Sequence, residues 1–198
     1  ALRLAAGWCR ERGDPAGDRY RAVATRAADS FRARFQRPDM AHLADVIDGP
    51  DGDDWTLRPN QVIALAIDEP LVGPELARSV LDAVRRELET PVGLRSLAPS
   101  EAEYAGRFNG PAPWRDAAYH QGTIWAWLLG PYVDALLRFG GADARERALT
   151  ILEGARRQLA DGGLGSSARS STATRPTIRT AAHGRHGASA RCSGHGGW

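Results

Sequence analysis

Apolar residues recur every three or four positions along most of the chain, which predicts amphipathic helices arranged in consecutive pairs. The first helix spans Ala1 to Arg12 and ends at the breaker Gly13-Asp14-Pro15. A long acidic connector, Gln36 to Thr56, follows the second helix, and within it Ala44 to Ile47 has the character of a short strand. The second helix presents one apolar face, made by Tyr20, Val23, Ala27, Phe31 and Phe35.

A second pair of helices follows this connector. An apolar run opens at Pro59-Asn60-Gln61 and continues to Ile67. Its partner begins at Pro74, because a proline suits the first turn of a helix. The apolar face of the partner helix is made by Leu76, Val80, Val84 and Leu88.

The third pair follows a loop rich in Gly and Pro, from Glu89 to Trp114. Its helices span Tyr119 to Phe139, with Pro131 as an internal kink, and Ala142 to Leu159. Gly140-Gly141 separates the two, as expected where a helix ends.

Helical hairpins joined by long loops are typical of folds in which neighbouring hairpins bury each other's apolar faces. The predicted fold class is therefore all-α, a partial (α/α)6 toroid built from helical hairpins, with long loops and a few short strands. Three hairpins make half of a closed six-hairpin barrel. We therefore expect residues 1–165 to be part of a longer domain.

Charge divides the sequence into two unequal parts. All 26 basic side chains are Arg, which indicates a GC-rich coding sequence, and the formal net charge is +2. Residues 1–165 carry 21 Arg and 24 acidic residues, a balance of −3, whereas residues 166–198 carry five Arg and no acid, a balance of +5. The first part lacks the positive charge that nucleic-acid binding requires.

Other sequence features argue against a membrane or extracellular protein. No apolar run reaches the roughly 20 residues of a membrane helix. Two cysteines, Cys9 and Cys192, imply no disulfide framework and favour a reduced, cytoplasmic setting.

Polar and aromatic residues concentrate in three loops. The first contains Trp55 and Arg58, the second contains Arg95, and the third runs from Arg115 to Trp125. Amides, a guanidinium, an imidazole and indoles suit a carbohydrate, because sugar hydroxyls need donors and acceptors while the C–H faces of the ring stack on aromatic side chains. Structural roles remain open, since Trp125 and Trp127 fit a hydrophobic core and a lone His120 fits a structural histidine.

The motifs in these three loops, taken in order along the chain, resemble those of a known enzyme family. The chain contains Leu57-Arg58-Pro59-Asn60-Gln61, then Thr90-Pro91-Val92-Gly93-Leu94-Arg95-Ser96-Leu97, then Arg115-Asp116-Ala117-Ala118-Tyr119-His120-Gln121-Gly122-Thr123-Ile124-Trp125. Over residues 1–165 this resembles the C-terminal domain of prokaryotic glycogen debranching enzymes of the amylo-α-1,6-glucosidase type. The resemblance implies a glucoamylase-like barrel that hydrolyses α-1,6-glucosidic branch points of glycogen or limit dextrin with inversion. It implies an α-glucan partner and calls for no metal or cofactor.

The resemblance also implies which side chains face the sugar. His120 and Gln121 would face it directly, and Arg115 with Asp116 would form a buried or cleft-lining ion pair. The alternatives are that this pair only orients its loop and that Asn60 only caps its helix. The full set of expected substrate-binding residues is Arg58, Asn60, Gln61, Arg95, Tyr104, Arg115, Asp116, Tyr119, His120, Gln121 and Trp125.

Neither catalytic carboxylate is expected in this chain as written. The general acid of the family is an Asp in a Trp-Met-Asp-Ala motif, and no Trp-Met-Asp occurs here. The family's base is a Glu in a segment resembling Gly-Leu-Gly-Ser-x-Ser-Glu-Ile-Phe-Asp-Gly-Asp. This chain has Gly163-Leu164-Gly165-Ser166 and then departs into Ser167-Ala168-Arg169. We therefore expect little activity from the chain by itself.

We interpret this departure as a frameshift near Ser166, either genuine or introduced by sequencing. The amino acids Ser167 to Arg175 permit the codons TCA GCG AGA TCT TCG ACG GCG ACC CGC, and reading that choice two nucleotides out of register gives Ser-Glu-Ile-Phe-Asp-Gly-Asp. Residues 166–198 are then a basic, disordered tail. Zinc binding by His183, His186, Cys192 and His195, or nucleic-acid binding by the arginines, is disfavoured because shifted GC-rich DNA yields these residues without selection.

Two other functional classes remain open. The chain fits another α/α-toroid carbohydrate hydrolase of the glucoamylase or trehalase kind. It also fits a non-catalytic glycan-binding or helical interaction module.

Sequencing the coding DNA tests the frameshift. We expect a shifted frame that encodes Glu, then Ile or Val, then Phe-Asp after the codon of Ser166. If no frame encodes that segment, the tail is the natural continuation of the chain.

Overall fold

The computed structural model of the protein describes residues 1–69, 71–108 and 110–161. Its helices are α1 (Leu2–Glu11), α2 (Ala16–Arg34), α3 (Gln61–Ala66), α4 (Pro74–Glu87), α5 (Ala112–Ala118), α6 (Leu129–Phe139) and α7 (Ala144–Asp161). Its strands are β1 (Val46–Gly49), β2 (Gly52–Asp54), β3 (Glu89–Thr90), β4 (Gly93–Arg95) and β5 (Ile124–Trp125). The predicted all-α class with a few short strands is confirmed. None of the described helices is long and apolar enough to cross a membrane.

The helices pack in the three predicted pairs. Helix α1 lies against α2, α3 contacts α4, and α6 contacts α7. Helix α6 also packs against α3 and α4, so the second and third pairs share one hydrophobic core. Closure into a six-hairpin toroid stays a prediction, and so does the domain boundary at residue 165, which lies outside the described residues together with the basic tail.

The core is centred on α4 and α6. The face predicted for α4 is buried at Val80, Val84 and Leu88, each with no exposed surface. Helix α6 contributes Tyr132 and Ala135, which are also fully buried. Burying such side chains contributes about 1.5–3 kcal/mol each, so this contact stabilises the pairing of the hairpins.

Helix α6 is shorter than the sequence pattern predicted. The predicted helix begins at Tyr119, whereas α6 begins at Leu129, because residues 119–123 form a turn and Ile124–Trp125 form β5. Gly122 adopts a φ of 129°, which is incompatible with a helix. Pro131 lies in the first turn of α6, where its missing N–H is not needed, and it is therefore not an internal kink.

Two short elements were missed or misplaced by the pattern. Helix α5 was not predicted: it begins directly after Pro111, inside the loop predicted up to Trp114, and continues beyond that loop to Ala118. The predicted strand Ala44–Ile47 is shifted to β1, which pairs with β2 inside the acidic connector. The hairpin turn is made possible by positive φ angles of 57° at Asp48 and 99° at Gly52.

A small three-stranded antiparallel sheet connects the second and third hairpins. Strand β4 lies between β3 and β5, with Thr90 opposite Gly93 and Leu94 opposite Trp125. Gly93 is required here, because a Cβ at that position would lie 2.9 Å from the carbonyl oxygen of Trp125. The sheet thereby fixes the loops on either side of it.

A buried polar network joins β3 to α6 and α7. The Tyr132 hydroxyl donates to Oε2 of Glu89 at 2.6 Å, and Nη2 of Arg147 donates to Oε1 of the same carboxylate at 2.6 Å. Burial and the Glu89 carboxylate raise the pKa of Tyr132, so its hydroxyl keeps its proton. Glu89 therefore serves as a common acceptor for two helices.

Replacing Glu89 tests this network. Glu89→Ala leaves a buried hydroxyl and a partly buried guanidinium without their acceptor, so we expect a loss of about 2–3 kcal/mol in the free energy of unfolding in urea. Tyr132→Phe removes one hydrogen bond and is expected to cost about 1 kcal/mol.

Glu153→Ala is the matched control, since this exposed carboxylate pairs with Arg156 and Arg157 on the surface of α7. Its unfolding midpoint should stay close to that of the unchanged chain. An equal loss of stability at Glu89 and Glu153 would contradict a special role for the buried network.

Candidate functional site

A cavity of about 540 Å³ opens where the three polar loops converge. One side follows the β1–β2 hairpin and the loop that leads into α3. The other side follows the end of β4 and the stretch from the end of α5 to the start of α6. The residues that line the cavity are Asp45, Asp54, Arg58, Pro59, Asn60, Ser96, Tyr119, His120, Trp125, Trp127 and Leu128.

The guanidinium of Arg58 holds the loops together. Its Nη1 donates to the carbonyl oxygen of Ser96 at 3.2 Å and to that of His120 at 2.6 Å. Its Nη2 donates to Oε1 of Gln121 at 2.9 Å, and its Nε donates to Oγ1 of Thr56 at 3.2 Å. Because these donors are engaged with the protein, Arg58 shapes the cavity by positioning its walls.

Asp45 and Asp54 line the cavity on the side of the β1–β2 hairpin and form its acidic wall. The backbone N–H of Asp45 donates to the carbonyl oxygen of Asp54 at 2.8 Å, which places the two residues side by side. Asp54 accepts the N–H of Thr56 at 2.8 Å through Oδ1. Asp45 accepts Nδ2 of Asn60 at 2.8 Å through Oδ1, and its Oδ2 lies 3.7 Å from Nε of Arg58.

The environment of Asp45 disfavours its charge. Its side chain is 10 % exposed, and this burial raises the pKa of Asp45 above the ordinary value for a carboxyl. The Asn60 hydrogen bond and the Arg58 charge oppose that rise, whereas the nearby Asp54 charge adds to it. Burial is the largest of these effects.

The aromatic wall of the cavity is formed by Tyr119, His120, Trp125 and Trp127. The Tyr119 ring meets Trp125 edge-on with 4.7 Å between centroids, and it meets His120 edge-on at 4.8 Å. Phe108 contacts Tyr119 from outside at 5.8 Å. Trp127 is 60 % exposed and Tyr119 is 41 % exposed, so both present ring surface to a ligand.

The three-stranded sheet fixes this aromatic wall. The N–H of Ser96 donates to the carbonyl oxygen of Thr123 at 3.0 Å, and the N–H of Gly122 donates to Oγ of Ser96 at 2.9 Å. The hydroxyl of Thr123 donates to the carbonyl oxygen of Ala118 at 2.9 Å. The turn between α5 and β5 is therefore held by specific hydrogen bonds.

The structure brings together only part of the expected site. Arg58, Asn60, Tyr119, His120 and Trp125 line the cavity. The remaining expected residues lie behind its walls or away from it.

The two glutamines lie behind the cavity walls. Gln121 accepts from Arg58 and donates through Nε2 to Oε2 of Glu103 at 2.9 Å. Gln61 is buried, accepts the N–H of Leu43 at 3.2 Å and donates to the carbonyl oxygen of Arg58 at 2.8 Å. Both amides position the residues that line the cavity.

Arg95 and Tyr104 lie outside the cavity lining. The Nη1 atom of Arg95 donates to the carbonyl oxygen of Glu87 at 3.2 Å, at the end of α4. The ring of Tyr104 packs against Gly122, where a Cβ would approach the ring to 2.5 Å. Tyr104 therefore supports the turn that carries His120, and a side chain at position 122 would displace it.

The ion pair expected between Arg115 and Asp116 is not formed. Both side chains are exposed on α5, and neither has an ion-pair partner among the residues that the structure describes. Neighbouring positions on a helix point about 100° apart, so two consecutive residues rarely meet. Neither residue lines the cavity, and a role for Arg115 or Asp116 in sugar binding stays a prediction.

Six lining residues were not among the expected sugar-facing residues, and four of these six, Asp45, Asp54, Ser96 and Trp127, have polar or aromatic side chains. Asp45 interrupts the apolar run Leu43-Ala44-Asp45-Val46-Ile47, and that interruption is the signal that could have identified it. Asp54 ends the second strand of the same hairpin, and Ser96 follows β4. The sequence favoured a core position for Trp127 over a sugar-stacking one, whereas Trp127 is exposed. These residues come together because β1 pairs with β2 and β4 pairs with β5. The hydrophobic pattern did not predict either pairing.

The described residues contain no group of three or more His, Cys, Asp or Glu side chains that could hold a metal ion. The His and Cys residues weighed as zinc ligands lie in the tail, outside the part of the chain that the structure describes.

Comparison with known proteins identifies the family to which the chain belongs. The family model described as amylo-alpha-1,6-glucosidase matches residues 1–173, which extends past the predicted boundary at residue 165. A glycogen debranching enzyme of Saccharomyces cerevisiae is 36 % identical over 93 residues, which covers 44 % of this chain and 6 % of that protein. The chain thus matches only a small part of this relative's length. Because the family model covers most of the sequence, the chain belongs to the amylo-alpha-1,6-glucosidase family.

Proposed function

We propose that this chain provides a glucosyl-binding site of a cytoplasmic α-1,6-glucosidase that acts on the branch points of glycogen or limit dextrin. The observation that carries the proposal is the cavity in which an aromatic wall faces Asp45, Asp54 and Asn60. Its volume of about 540 Å³ is within the roughly 300–1,000 Å³ of small-molecule sites.

The two walls suit the two kinds of surface that a sugar presents. The C–H face of a pyranose ring stacks on exposed Trp127 and Tyr119. Its hydroxyls find acceptors in Asp45 and Asp54 and an amide in Asn60. The family and the name of the Saccharomyces cerevisiae relative favour a glucose unit of an α-glucan as that sugar.

The catalytic carboxylates are proposed to come from outside this site. Inversion needs an acid and a base about 6.5–9.5 Å apart, with a water between the base and the sugar. Asp45 and Asp54 come from adjacent positions of one hairpin, and each already accepts a hydrogen bond from the protein. Such carboxylates suit binding, so the chain is proposed to bind the sugar without hydrolysing it.

Binding is tested at His120. The indoles of Trp125 and Trp127 line the cavity, so a sugar such as panose, which contains an α-1,6-linked glucose, should change the tryptophan fluorescence of the chain. His120→Ala removes a polar group from the cavity and is expected to weaken panose binding about three- to tenfold, the value of one hydrogen bond.

His42→Ala is the matched control, because His42 makes its contact with the carbonyl oxygen of Leu43 and does not line the cavity. Arg115→Ala tests the remaining expectation for α5: Arg115 does not line the cavity, so an unchanged affinity would show that it makes no contact with the sugar. A fluorescence titration of the unchanged chain that shows no response to panose, maltotriose or glycogen would overturn the proposed function.

Hydrolysis is tested with the same chain. We expect no release of glucose from a limit dextrin under conditions in which a complete debranching enzyme releases it, because loss of one catalytic carboxylate already lowers the rate by orders of magnitude. Release that is abolished by Asp45→Asn or Asp54→Asn would instead assign catalysis to the cavity.

The specificity of binding separates the alternatives. A preference for panose over maltotriose and trehalose supports an α-1,6-glucosidase site. A preference for maltotriose favours a glucoamylase-like protein, and a preference for trehalose favours a trehalase-like one.

A further inference from the structure

We propose that Asp45 is a specificity-determining residue whose carboxylate accepts hydrogen bonds from two neighbouring hydroxyls of the bound sugar. This inference rests on the proposed function, since it names the contact that the glucosyl-binding site makes.

The hydrogen bonding of Asp45 leaves acceptor capacity free. An ionised carboxylate has about four acceptor positions. Among the described residues, its side chain receives one hydrogen bond, from Asn60 at 2.8 Å. The Nε of Arg58 lies 3.7 Å from Oδ2, which is beyond hydrogen-bond distance. The side chain lines the cavity but is only 10 % exposed, so bulk water has limited access to the remaining positions.

The direction of the pKa shift at Asp45 differs from that of a carboxylate in a structural ion pair. A carboxylate whose role is a structural ion pair has a lowered pKa, because its partner favours the charged form. Burial instead raises the pKa of Asp45 despite the presence of Arg58. The contacts of Asp45 within the fold therefore do not fully offset the cost of burying its carboxyl, which is typical of binding and catalytic sites.

The neighbours of Asp45 fix its orientation before a ligand arrives. Asn60 holds Oδ1, the backbone N–H of Asp45 is held by Asp54, and Arg58 is anchored to the carbonyl oxygens of Ser96 and His120. A preorganised acceptor loses little conformational freedom on binding. A pair of adjacent hydroxyls on a pyranose ring offers two donors to the two oxygens of one carboxylate.

Asp45→Asn in the full chain tests the inference by panose titration. The substitution keeps the shape of the side chain but replaces one acceptor with a donor and removes the charge. Hydrogen bonds to charged groups are stronger than neutral ones, so we expect the affinity to fall at least tenfold. Asp39→Asn, which alters an exposed carboxylate paired with Arg37, is the matched control and should bind as the unchanged chain does.

Deoxygenated ligands separate direct contact from a structural effect. Panose analogues that lack single hydroxyls of the α-1,6-linked glucose should bind the unchanged chain more weakly when either of two neighbouring hydroxyls is missing. Asp45→Asn should bind those two analogues and panose with nearly equal affinity, because the partner of the hydroxyls is already gone. If Asp45→Asn does not fold, Asp45→Ser takes its place in the same comparison.

The outcomes distinguish the two proposals. If the unchanged chain binds no glucan, the proposed function fails, and this inference fails with it. If the unchanged chain binds panose and Asp45→Asn binds equally well, only the role of Asp45 is overturned. A variant that binds all analogues proportionally more weakly would show that Asp45 supports the fold of the site and would also overturn the inference.

Discussion

The cavity depends on one guanidinium. Arg58 stands where the loop from the β1–β2 hairpin meets the ends of β4 and α5, and it donates to main-chain carbonyls of both other loops. Three segments that are distant in sequence therefore share a single planar group with a fixed fork of donors. Apart from that fork, the loop of Arg58 is joined to the loop after β4 by the hydrogen bond from the N–H of Ala98 to the carbonyl oxygen of Leu57 and by that from the N–H of Leu57 to Glu101. A lysine could supply the charge at this position but not the geometry, because its ammonium lacks the planar set of donors.

The acidic and aromatic walls are built by different means. The acidic wall stands on a two-stranded hairpin, whose turn places Asp45 beside Asp54. The aromatic wall stands on the edge of the three-stranded sheet, which fixes Trp125 opposite Leu94. Most of the core comes from α3, α4 and α6, and β4 adds the fully buried Leu94. The helical hairpins thus provide stability, and the short strands provide the geometry of the site.

Helical periodicity identified the pairs of helices, because an apolar face of four or more residues is a strong local signal. It failed between Tyr119 and Leu129, where an apolar and aromatic run is a turn and a strand fixed by contacts with β4. Five of the residues that the sequence motifs indicated line one cavity: Arg58, Asn60, Tyr119, His120 and Trp125. The motifs did not separate residues that line the cavity from those that support it, such as Gln61 and Gln121. That distinction depends on which way a side chain points, and adjacent loop positions give no local signal for it.

The amide of Gln121 has a consequence for how this sequence can vary. Its oxygen accepts from the cation Arg58, while its nitrogen donates to the anion Glu103. A glutamate at position 121 would repel Glu103, and a lysine or arginine would repel Arg58. An amide is the one kind of side chain that satisfies both neighbours without adding charge. The side chains that positions 58, 103 and 121 can accept therefore depend on one another, so a change of charge at the exposed Glu103 alters which residue fits at position 121.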